Sequence, residues 1–165
     1  MQVKPIFEEN KELLENMNKL YNKYPDKFLG IKIEEIMAVS IVNKERSDKK
    51  SILWQINSVS YPAKLHNPYG WYVIVHKSDW DALTERTKVF LAMQILHGIS
   101  PEEGKVNPFN YKDFGPMVRT FGADYLAKAD LLPDLLQDSI DWKEEETLVT
   151  IKQSDNQDSQ DNQEN

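Results

Sequence analysis

The chain has 165 residues, 40% of them apolar, with 27 acids against 20 bases for a net charge of -7. At this length a single domain that buries about two-thirds of its unfolded surface is expected, so folding requires neither metal nor disulfide. The absence of cysteine excludes a disulfide framework, a cysteine-ligated zinc site, an iron–sulfur cluster and a thiol nucleophile.

Uncharged stretches such as residues 65–76 run 12 residues and carry Asn, Pro and Gly, short of the roughly 20 apolar residues of a spanning helix. The N-terminal MQVKPIFEENKELL places acids where a secretion signal needs an apolar run. The expectation is a cytoplasmic protein with no membrane partner. Residues 130–165 hold 11 acids and two lysines, a balance of -9 that leaves +2 for residues 1–129. That is not the basic stripe of a nucleic-acid binder. The acids read either as solubilising or as a docking tail or phosphate mimic.

Residues 7–24 predict an amphipathic helix. Leu13, Met17, Leu20 and Tyr24 follow steps of three and four, with Pro5 near the start and the Tyr24-Pro25 step at the end. Residues 33–43, rich in β-branched side chains, predict a strand. The charged run KERSDKK (44–50) predicts an exposed turn, and the alternation of Ile52, Trp54 and Ile56 a second strand, the two forming a hairpin. After a Pro-containing loop, WYVIVH (71–76) is apolar enough for a strand inside the sheet.

Ser78 and Thr84 are candidate N-caps for a helix over 84–97 that Gly98 would stop. Its second half, VFLAMQIL, is apolar nearly all round and predicts a central position. A helix over about 115–122 has Pro116 in its first turn and Gly122 at its end. Residues 123–140 predict one more helix, interrupted at Pro133. The final QSDNQDSQDNQEN (153–165) has no apolar side chain with which to offset ordering entropy, and reads as a disordered acidic tail after a single domain over 1–152.

The polar exceptions on the central helix are Gln94 and His97, with Met93 four residues before His97 on the adjoining face. A HExxH zinc site uses that spacing: two His one turn apart grip the ion and the intervening Glu activates its water. The pentapeptide Met93-Gln94-Ile95-Leu96-His97 fits the frame, with only its last position matching. The surroundings extend the comparison: a strand ending near Val75, then Trp80-Asp81-x-Leu83-Thr84 leading into the helix, then Pro108-x-x-x-x-Phe114 and Val118-Arg119-x-Phe121-Gly122.

On these elements the chain resembles the phage metallopeptidase family, small zincin-like proteins of phage and prophage genomes, over about residues 25–125. In that family a helix of type (A/L)LxHELxH follows a WDxLT-like lead-in, and a later segment before the Phe supplies another ligand. The resemblance places the first His ligand on Met93, the catalytic Glu on Gln94, the second His on His97, and the later ligand near Phe109 or Asn110. A thioether is a poor zinc ligand, and a carboxamide cannot accept a proton from metal-bound water. The resemblance therefore implies an inactive member, with His97 a vestigial metal position, Gln94 an inactive catalytic one, and no cofactor.

Three histidines, His66, His76 and His97, with Glu102, Glu103 or Asp113, offer a chemically sensible alternative zinc set without a supporting spacing. Gln94 and His97 otherwise read as a polar pair hydrogen-bonded inside the old cleft. The aromatic residues Trp54, Trp71, Trp80, Tyr61, Tyr69 and Tyr72 read as core packing around the sheet, and Glu102-Glu103 as solvated.

The expectation is an α+β, zincin-like minimal domain: an N-terminal helix, a sheet of about three strands, a central helix and C-terminal helices. Its expected function is that of a pseudoenzyme that binds another protein, with a host protein in the host cytoplasm as the expected partner. The alternatives are an active zinc metallopeptidase with unorthodox ligands, and an acidic inhibitor of a host defence or nucleic-acid enzyme.

Overall fold

The computed structural model describes residues 3–47, 52–102, 105–109 and 113–143. The elements in chain order are β1 (Phe7–Glu9), α1 (Lys11–Lys23), β2 (Ile36–Ile41), β3 (Trp54–Ser58), β4 (Trp71–His76), α2 (Lys77–Asp81), α3 (Glu85–Gly98) and α4 (Gly115–Phe121), with short 3-10 turns between several of them. The architecture is α+β: four helices and a four-stranded mixed sheet, among the described residues, in the order β1-β2-β4-β3. The expected count of about three strands is one short. No helix among the described residues is long and apolar enough to cross a membrane.

The extra strand comes from the start of the first predicted helix. Asn10 sets the boundary: its side chain accepts from Leu13 N at 2.9 Å and caps α1. Its amide donates to Ala38 O and its Nδ2 to Ser40 Oγ, pinning the cap to β2. Residues 7–9 therefore pair antiparallel with β2 rather than coil. From there α1 follows the expected stripe, with Leu13, Met17 and Leu20 fully buried, each worth about 1.5–3 kcal/mol of apolar transfer, and it ends at Tyr24.

The expected hairpin between the strands at 33–43 and 52–56 does not form. β2 pairs in parallel with β4, β3 pairs antiparallel with β4, and β4 separates the two. The reason lies in composition. WYVIVH is apolar on both faces and takes an interior place, whereas β3 alternates Trp54 and Ile56 with the exposed Gln55 and Asn57 and belongs at an edge. Trp71, Val73 and Val75 face the helices, where α1 and α3 cover the sheet.

Thr84 caps α3 as expected, accepting from Thr87 N, whereas Ser78 lies inside α2. Residues 90–96 are all buried, as the apolar run predicts. Gly98 is the last helical residue rather than the stop beyond it. Its glycine is required by close approach, because a Cβ there would come 2.8 Å from Ile56 Cδ1 and 3.2 Å from Phe114 Cζ.

Gly122, at φ +88°, ends α4 as expected. The helix expected over 123–140 is replaced by turns and a 3-10 segment at Ala129–Leu131, so α4 is the one C-terminal α-helix among the described residues. Other groups take the carbonyls an α-helix would use: Arg86 donates to Asp130 O and Leu132 O, and Lys23 and Tyr24 donate to Leu135 O. The expected tail, 153–165, lies outside the described residues.

Candidate functional site

The central helix brings Met93, Gln94 and His97 to the junction of β3, α4 and the C-terminal turns, and there the three diverge. Met93 is fully buried among core side chains. Gln94, 5% exposed, is held on both ends of its carboxamide. Its Oε1 accepts from Trp54 Nε1 at 2.8 Å and its Nε2 donates to Asp113 Oδ2 at 3.0 Å. The other Asp113 oxygen accepts from Phe114 N at 2.7 Å and from Tyr125 OH at 3.2 Å. Burial and then the facing Asp113 carboxylate push the Tyr125 hydroxyl far above its usual range, so it remains a donor.

This is a continuous chain of satisfied polar groups from β3 through α3 to the segment after α4. In a low-dielectric interior each link supports the next.

His97 has a different environment. Its ring lies in an aromatic cage, with centroids 5.3 Å from Phe28, 6.2 Å from Phe114 and 6.4 Å from Trp142. Its Nε2 is buried with no hydrogen-bond partner among the described residues. Burial, and then the Lys27 ammonium, push its pKa down to about 4, so the ring is neutral at pH 7. Lys27 itself lies over the Trp142 ring at 3.9 Å. A cavity of about 160 Å³ opens beside His97, lined also by Phe28, Ile31 and Asn107. The expected pair thus hydrogen-bonds at Gln94 and not, among the described residues, at His97 Nε2.

These residues do not fit a zinc ion. A buried thioether, a carboxamide already committed at both ends and one imidazole supply one good donor where a zinc centre needs three or four. The alternative ligands are scattered. His66 is exposed at the end of a 3-10 turn, and His76, at the end of β4, bonds Lys44 O through Nδ1 at 2.7 Å. Asp113 serves Gln94, Tyr125 and Phe114, and the exposed Glu102 pairs with Lys105. Glu103 and Asn110 lie outside the described residues, and Phe109 packs against Trp54 and Phe114. No group of three or more His, Cys, Asp or Glu among the described residues could hold a metal ion.

Two further expectations can be placed. Trp71 and Trp80 are buried, while Tyr61 is 65% exposed and lies outside the core. In the acidic region, Asp130 accepts from Thr84 Oγ1, Asp134 accepts from Leu136 N and lies 3.7 Å from Arg86, and Asp138 accepts from Asp134 N. These acids shape the turns that replace the expected helix. Residues 144–165 are outside the described residues.

Trp54 read only as a strand and core residue, Tyr125 was not singled out, and Asp113 entered only as a possible ligand. The signal available for Asp113 was its place beside Phe114, at the segment where the resemblance puts a later ligand. No protein-family model, curated protein or solved structure matches the chain.

Proposed function

We propose that this chain is a catalytically inactive, zincin-like relative of the phage metallopeptidases, retained by a phage or prophage to bind another protein, a host protein in the host cytoplasm. The observation that carries this reading is the state of Gln94. The position that the resemblance gives to the catalytic base holds a carboxamide whose two ends tie Trp54 to Asp113, so it serves cohesion, and a neutral carboxamide is not a base that could take a proton from water.

A means of binding is available at the sheet edge. In the β3–β4 ladder Val59 N donates to Gly70 O, and antiparallel alternation then turns the peptide groups of Trp54, Ile56 and Ser58 away from β4. Among the described residues these groups have no backbone partner. An extended peptide could add there as a fifth strand, its main chain giving affinity and its alternate side chains specificity.

Ser58→Pro tests this, because proline removes an outward N–H while leaving the ladder to β4 intact. Binding of proteins captured from the host by the unaltered chain should weaken at least about tenfold in this variant, the effect of losing one well-made contact, with an unchanged melting temperature. Equal affinity for both chains would remove the edge from the account, and peptide cleavage by the unaltered chain would remove the pseudoenzyme.

A further inference from the structure

Helices cover one face of the sheet. On the other, alternation brings out Met37, Val39 and Ile41 of β2 and Tyr72, Ile74 and His76 of β4. Both strands run in the same direction, and beyond their carboxyl ends this face carries a cavity of about 440 Å³. This volume falls in the usual range for a small-molecule site.

The floor is apolar, formed by Ile41, Ile52, Leu53 and Ile74. The rim is polar, with Lys44, Glu45, Arg46, Gln55 and His76 among the described residues. Asp79 meets the Arg46 guanidinium, which leaves Lys44 as the exposed cation of this rim among the described residues.

The rim is also held in place. His76 Nδ1 donates to Lys44 O at 2.7 Å, because a carbonyl can only accept. Arg46 Nη1 donates to Ile52 O at 2.9 Å and its Nε lies 3.2 Å from Asp79. Asn43 joins the N-terminal segment to the same loop, accepting from Ile6 N and donating to Lys4 O. Such tethers reduce the ordering cost of binding. The Lys44 side chain is exposed and positioned to meet an anion at the mouth.

We propose that this cavity is a binding site for a compact apolar body ending in a carboxylate, seated on Ile41 and Ile74 with its anion at Lys44. A free aliphatic carboxylate and the C-terminal residue of a polypeptide share that chemistry. The site lies on the face opposite α3 and does not depend on the reading of Gln94.

The test is an amide chemical-shift titration of the full chain with hexanoate, with an acetylated tripeptide ending in leucine, and with the same tripeptide as its C-terminal amide. The carboxylates should shift Ile41, Ile52, Gln55 and Ile74, and the neutral amide should bind about tenfold more weakly, the value of a charge-assisted hydrogen bond. Binding by hexanoate alone identifies a small-molecule site, and binding by the tripeptide alone a site for a chain terminus. Lys44→Glu should weaken the carboxylates by a similar factor while leaving the melting temperature unchanged, and Ile74→Trp, which fills the cavity, should abolish binding. Equal affinity for acid and amide, shifts located elsewhere, no shifts at millimolar ligand, or an unaffected Lys44→Glu variant would each overturn the proposal.

Discussion

Gln94 and His97 stand one turn apart on the same helix, and the fold treats them in opposite ways. Gln94 is bonded at both ends and joins three separate parts of the chain. His97 is enclosed by aromatic rings, and its Nε2 is left without a partner among the described residues. The comparison separates two outcomes for polar positions in a buried frame: one has been absorbed into the packing as a connector, the other is tolerated as an aromatic filler. Burial alone does not predict which is which; the groups facing each position do.

The largest expected effect is at the connector. Gln94→Leu removes both hydrogen bonds and leaves Trp54 Nε1 and one Asp113 oxygen unpaired, which should cost about 3–4 kcal/mol of stability. Urea unfolding measures it, and a loss below about 1 kcal/mol, no more than an ordinary surface change, would mean that the chain of bonds contributes little.

His97 should show itself in acid. Its folded pKa of about 4 lies below the ordinary 6.5, so the unfolded chain binds the proton more readily. Between those values stability should fall as pH falls, and below the lower value both states are protonated and the loss is complete. The shift corresponds to about 3 kcal/mol across that window. His97→Phe keeps a ring in the cage and removes the titration, so the stabilities of the two chains, close at neutral pH, should separate as pH falls, with the variant becoming the more stable. At neutral pH the same variant gives the smallest effect, within about 1 kcal/mol, since replacing an unpaired polar atom by an apolar one of like shape is nearly neutral. Identical pH profiles for the two chains would show that the cage does not oppose protonation.

Much of this frame was legible in the sequence. The stripe at Leu13, Met17 and Leu20, the interior strand at 71–76 and the all-apolar turn of α3 carry their periodicity in single short segments, where local pattern decides. What was not legible depends on distant partners. Asn10 moves the start of α1 because it bonds Ala38 and Ser40, and Arg86 takes carbonyls from residues 130 and 132 that a helix there would need. The sheet order required weighing three strands against one another. In the site, the pairing of Gln94 with Trp54 and Asp113 spans 40 and 19 residues, beyond any spacing rule. The loop over the outer cavity read only as a charged turn, because its tethers run to His76, Asp79 and Ile52.

The most direct measurement of the central claim, that the polar pair on α3 is built into the fold rather than assembled as a metal centre, is equilibrium dialysis against zinc followed by elemental analysis. The account predicts no stoichiometric binding and no difference between the unaltered chain and His97→Ala. Near-equimolar zinc that disappears in Met93→Ala or His97→Ala, together with a chelator-sensitive peptidase activity, would contradict it.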